Sequence, residues 1–172
     1  MGSSCHTAGV AIFLASRVAA WGAQMFNELL GVLQKYPQAK YEQGDDFVRV
    51  LPCTPEGFEV VIEQIWENHF TVSYDHWHED FYTLEEALDC FFFGLSNRCR
   101  LKVQSKDGVP FRWTVEYWDE PNWHERSSKA AWTYRFLTPA TTAYLQNDLL
   151  PESDLHPFIN KLGARLQQAG GK

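Results

Sequence analysis

Thr83-Leu84-Glu85-Glu86-Ala87-Leu88-Asp89-Cys90-Phe91-Phe92-Phe93-Gly94-Leu95 is the stretch on which the fold turns. It opens on a capping box, in which the Thr83 hydroxyl accepts from the amide three residues on and the Glu86 carboxylate reaches back. Glu85 and Glu86 place negative charge at the positive end of the helix dipole. Leu84, Ala87, Leu88, Phe91, Phe92 and Leu95 then recur at helical spacing. Cys90 and Phe93 widen the apolar stripe until Asp89 alone is clearly polar, which predicts burial of the C-terminal half. Gly94 to Asn97 mark the end. The aromatics of this helix read as core packing rather than as a ligand box.

Downstream, the alternation of strands is clearest. Cys99, Leu101 and Val103 alternate with Arg98, Arg100, Lys102 and Gln104, and Val109, Phe111, Trp113, Val115 and Tyr117 alternate with Arg112, Thr114, Glu116 and Trp118. Each strand has one apolar and one polar face. A three-residue loop Lys106-Asp107-Gly108 pairs Ser105 with Val109 and sets Val103 opposite Phe111. A two-residue Asp107-Gly108 loop would bring Lys102 opposite Trp113 and mix the faces. The three-residue register pairs Arg98 with Glu116 and opposes Lys102 to Arg112. Such a like-charge pair calls for an anion nearby, with Glu59 and Glu63 as the internal candidates. A polar turn, 119–126, leads to a further strand over Ala130–Leu137.

Upstream, Phe47–Leu51, Phe58–Ile65 and His69–Tyr74 read as three strands of a meander, with a turn at Thr54-Pro55-Glu56-Gly57. An acidic loop, 75–82, joins them to the helix. Thr138-Pro139 has the form of a helix start, with Thr141–Leu150 helical behind it. Pro157–Gln168 follows as an amphipathic helix, and Met25–Tyr36 is another near the N-terminus. The fold class expected is therefore α+β: an antiparallel sheet of about six strands, β-β-β-α-β-β-β, packed on the 83–97 helix with helices flanking it at both ends. Residues 25–172 form one domain. Residues 1–24 are an N-terminal extension, either poorly ordered or a docked extra helix. The apolar run Ala8–Leu14 has no base before it and is too short to span a membrane, so neither a secretory signal nor a membrane anchor is expected.

Charge is unevenly spread. Residues 42–89 hold thirteen acids and one base, Arg49, whereas residues 90–135 hold eight bases and five acids, within an overall net charge of −7. That balance argues against nucleic acid as the main partner, because phosphate binding needs a dominant basic footprint. Two explanations stand. Acidic and basic segments lie side by side and neutralise within one sheet, or the acidic surface is kept for a basic protein partner. The four cysteines, at 5, 53, 90 and 99, form no Cys-x-x-Cys pair. They read as reduced thiols of a cytoplasmic protein rather than as a disulfide frame or zinc site.

One cluster invites a chemical reading. In an extended segment His76, His78 and Asp80 share a face, and they resemble the start of the His-x-His-x-Asp-His motif of metallo-β-lactamase-type hydrolases. Phe81 stands where that motif has its next histidine, so the resemblance covers five positions. A metal-dependent hydrolase, with His69 or His124 completing the ligand set, is thus one alternative function. A carrier of an apolar ligand between sheet and helix is another. With no cofactor motif and no complete ligand set, the preferred expectation is a non-enzymatic binding domain with an acidic surface and neither bound metal nor cofactor. It is comparable, by analogy of charge, to an immunity- or inhibitor-like protein. Trp118, Trp123 and His124 are its candidate binding residues, as aromatic anchors in a charged rim.

Overall fold

The structure, a computed structural model, describes residues 26–131 and 138–151. The expectations for residues 1–24, 132–137 and Pro157–Gln168 lie outside them.

Helix α1 covers residues 26–33 and buries Phe26, Leu29, Leu30, Val32 and Leu33. Five antiparallel strands follow in spatial as well as sequence order: β1 (Lys40–Gln43), β2 (Phe47–Leu51), β3 (Val60–Trp66), β4 (His69–Tyr74) and β5 (Trp77–Phe81). Helix α2 (Leu84–Gly94) crosses to a second antiparallel sheet of β6 (Cys99–Lys106), β7 (Val109–Asp119), β8 (Asn122–Ala130) and β9 (Thr141–Gln146), in the order β8-β7-β6-β9. The molecule is thus α+β and mainly antiparallel sheet, but five strands and four form separate sheets where one of six was expected. Apolar residues of both sheets and both helices join in one buried cluster.

The helix α2 follows its sequence signals. Thr83 is the N-cap, and its hydroxyl accepts from the Glu86 amide at 3.3 Å and donates to the Glu86 carboxylate at 2.6 Å. Phe91 and Phe92 are fully buried, while Phe93 is half-buried beneath the guanidinium of Arg126. Tyr74, on β4, reaches the end of the helix and donates from its hydroxyl to the Cys90 carbonyl. Its ring lies against Gly94, where even a methyl group would overlap it.

Four local expectations are corrected. The acidic loop contains strand β5, entered by a tight turn at Asp75-His76. Trp77 and Phe81 point inward and are buried, while His78 and Asp80 point out, so two apolar residues four apart were enough to dock an otherwise charged strand. The turn after β7 is shorter than expected. It is confined to Glu120-Pro121, and the polar stretch behind it is β8, held by the long ladder of β7 rather than by its own pattern. The helix expected over Thr141–Leu150 is the strand β9. Its Thr141, Thr142 and Tyr144 suit a strand, and β6 offers an unpaired edge to which it hydrogen-bonds.

The fourth correction is the β6–β7 register. The connection is the two-residue loop Asp107-Gly108, with φ of 50° and 75°, as a tight hairpin turn requires. Lys106 pairs with Val109, and an irregularity after Ser105–Pro110 then advances β7 by one residue. The faces are thereby restored, with Val103 opposite Trp113 and Leu101 opposite Val115. A bulge does what a longer loop was expected to do. It also abolishes the like-charge pair: Lys102 faces Thr114, Arg112 faces Gln104, and Arg100 rather than Arg98 meets Glu116.

Candidate binding site

Position 116 shows why the second sheet is polar on one face and still well packed there. Glu116 is buried, with its carboxylate 2.6 Å from Arg100 Nε and 3.7 Å from Lys102 Nζ. The Arg100 guanidinium is in turn clamped between two rings, 4.3 Å from the Trp123 centroid and 4.2 Å from that of Tyr144. Three strands contribute to this stack: Arg100 from β6, Trp123 from β8 and Tyr144 from β9. None of the three is near another in sequence. Arg100 and Tyr144 were not singled out by pattern, because only the shifted register and the strand β9 bring them together.

Trp118 and Trp123 are directly opposed across the β7–β8 hairpin, with ring centroids 5.3 Å apart. They line a cleft of about 450 Å³ together with Asn97, Arg98 and Gln146. Gln146 braces its far side by donating from Nε2 to the Asn97 carbonyl at 2.6 Å. His124 is one residue out of phase. It stacks on Tyr117, 5.4 Å between centroids, and so turns to the opposite face of the hairpin from Trp123. The structure therefore joins two of the three candidate binding residues and separates the third.

The histidine cluster does not close around a common point. The His76 ring lies against Trp113 of the other sheet, at 4.9 Å. Asp80 instead accepts from the Thr71 hydroxyl at 2.7 Å and lies 3.7 Å from His69 Nε2. The hydrogen bond from Thr71, with His69 and His78 nearby, holds its carboxyl below the usual range. Among the described residues no group of three or more His, Cys, Asp or Glu is arranged to hold a metal ion. Cys53, Cys90 and Cys99 are free thiols, the last two buried, and Cys90 is pushed up to about 11, chiefly by loss of solvent.

The charge asymmetry maps onto the two sheets. The thirteen acids of residues 42–89 are all exposed or half-exposed. Arg49, their only base, is tied to Glu42 at 3.4 Å and to Glu59 at 3.5 Å. The pairs Arg100–Glu116, Lys102–Glu116 and Arg112–Glu125 stay within the second sheet. Neutralisation of one segment by the other within a single sheet, one of the two sequence explanations, does not apply, because the segments occupy different sheets.

No protein-family model, curated protein or solved structure matches the chain at a significant level. Among the described residues no helix is long and apolar enough to cross a membrane.

Proposed function

We propose that this protein is a non-enzymatic binding domain whose acidic five-stranded side receives a basic protein partner. One observation carries the proposal: the thirteen acids of residues 42–89 all reach solvent, on the first sheet, its turns and helix α2, and the single arginine of that segment is already held by two of them. Three cations of the second sheet, Arg100, Lys102 and Arg112, are engaged with carboxylates of their own sheet rather than with these acids. A patch of one sign attracts an oppositely charged partner over the range of the Debye length, about 8–10 Å at ordinary salt, and raises its rate of association. An immunity-like or inhibitor-like role is the kind of function such a surface serves, by analogy of charge alone.

The test uses fluorescence anisotropy of a labelled oligolysine and a labelled oligoglutamate, each at low and high salt. The expected result is association with oligolysine that weakens steeply with salt, and none with oligoglutamate. Equal indifference to both peptides would remove the proposal.

A further inference from the structure

The most exposed large hydrophobic side chains of the first sheet lie at the end where β3 turns into β4 and β5 leaves the sheet. Trp66 is 69% exposed and Tyr82, just beyond β5, is 71% exposed. They are joined through His69, which pairs with Trp66 across the hairpin and stacks on Tyr82 with centroids 5.1 Å apart and planes 20° from parallel. Ile65, 39% exposed, lies at the irregularity beside Trp66 and extends the apolar surface. This ledge is structured rather than frayed. Asn68 takes the left-handed backbone of the turn, at φ 58°, and the buried Gln64 side chain donates to the Trp66 carbonyl at 3.3 Å.

The rim of the ledge is acidic. Glu67 lies in the turn itself, Glu63 is opposite Thr71, and Thr71 is opposite Asp80 on the next strand. All three acids are exposed. From Val50 to Asn97 the chain contains no Lys or Arg at all, so within the segment that builds the ledge and its rim only histidines can carry positive charge, among them His69, 3.7 Å from Asp80. A solvent-exposed indole beside carboxylates is the environment that favours a guanidinium: the π face attracts the cation, and the carboxylates accept its N–H groups in a forked geometry. An ammonium can use the charge but stacks less well.

We propose that Trp66 and Tyr82 form the contact centre of the acidic surface, and that it takes an arginine side chain of a basic protein partner between the indole and the rim of Glu63, Glu67 and Asp80. This rests on the proposed function above and specifies where, and through which side chain, the partner is held. Exposed aromatics surrounded by charge are the usual makeup of an interface hot spot.

Binding of labelled oligoarginine and oligolysine of equal length to the full chain tests it, by anisotropy, with Trp66→Ala and the triple variant Glu63→Gln/Glu67→Gln/Asp80→Asn. Because these side chains face solvent, the melting temperature of each variant serves as the folding control. Wild type is expected to prefer oligoarginine, and Trp66→Ala to weaken oligoarginine about five- to tenfold, the size of one cation–π contact, while changing oligolysine little. The triple variant should weaken both peptides. If both peptides bind in a salt-sensitive way but Trp66→Ala changes neither, the acidic surface stands and the ledge is not its centre. If neither peptide binds, both proposals fall. If sedimentation shows a wild-type dimer that Trp66→Ala dissolves, the ledge is occupied by a second copy of this chain and the arginine proposal is overturned.

Discussion

Asn147 holds Phe58 by both of its backbone groups. Its Oδ1 accepts from the Phe58 amide at 3.2 Å, and its Nδ2 donates to the Phe58 carbonyl at 3.0 Å. The same Nδ2 also donates to the Gly94 carbonyl at 2.9 Å. A single buried amide thus ties the end of β9 to the entry of β3 and to the last residue of α2, completing hydrogen bonds that no secondary structure supplies there.

Asn147→Ala should therefore destabilise the protein by about 2–4 kcal/mol, the cost of leaving several buried backbone groups without partners. Asn147→Asp should be worse, because a carboxylate would face two carbonyl oxygens where an amide donated. Urea denaturation of the two variants checks the order. Equal stability with wild type would show that water replaces the amide without loss.

Gly94→Ala carries a different penalty at the same corner. A Cβ at this position would overlap the Tyr74 ring, which is fully buried and bonded to the Cys90 carbonyl. Overpacking of this kind costs about 1–3 kcal/mol, more than the gain in helix propensity of at most about 1 kcal/mol. Thermal denaturation should show a lower melting temperature. An unchanged or raised one would mean that Tyr74 moves aside freely.

The thiols should separate cleanly by reactivity. At neutral pH a thiol reagent should modify the exposed Cys53 quickly and leave the buried Cys90 and Cys99 untouched, as peptide mapping after quenching would show. Rapid labelling of Cys90 in the native protein would contradict its burial.

Raising the pH should weaken the fold through the same residue. Cys90 ionises at about 11 in the folded chain, against an ordinary value of 9.0. Between these values the unfolded state has lost the proton that the folded state retains, so the unfolded state binds fewer protons and the unfolding free energy falls as pH rises. The loss from Cys90 alone is roughly 2–3 kcal/mol across that window. Cys99 and Tyr74, also raised by burial, act in the same direction. Wild type compared with Cys90→Ala by denaturant titration at successive pH values checks it, and the variant should show the shallower decline.

Trp123→Ala should cost about 1–2 kcal/mol, since the half-buried indole packs at a tilt against Trp118 and under the Arg100 guanidinium without entering the core. Arg100→Ala should cost more, about 3 kcal/mol, because it leaves the carboxylate of buried Glu116 with only Lys102 at a longer distance. Denaturant melts of the two single variants rank them. A larger loss for Trp123→Ala would mean that the indole, not the ion pair, holds this face together.

Much of the fold was legible locally. The capping box at Thr83 and Glu86, the apolar run to Leu95, and the alternation of Cys99, Leu101 and Val103 each act within a turn of helix or one strand, so sequence alone determined them. The charge asymmetry of residues 42–89 was equally plain, since it needs only counting. Trp118 and Trp123 could be named as neighbours because a hairpin turn joins them.

What the tertiary structure decided depends on partners far along the chain. β5 and β8 have too few apolar residues to announce themselves as strands, and they form because β4 and β7 offer ladders to pair with. β9 looked helical until the free edge of β6 claimed it. The two-residue turn and the bulge between Gln104 and Ser105 each moved the pairing by one residue, and the combined shift of two kept the faces but gave every charged side chain a different neighbour. Trp66, Tyr82, Arg100 and Asn147 acquired their meaning in the same way: nothing in their immediate sequence sets them apart, and only the strands, turns and opposing carboxylates brought together by folding do.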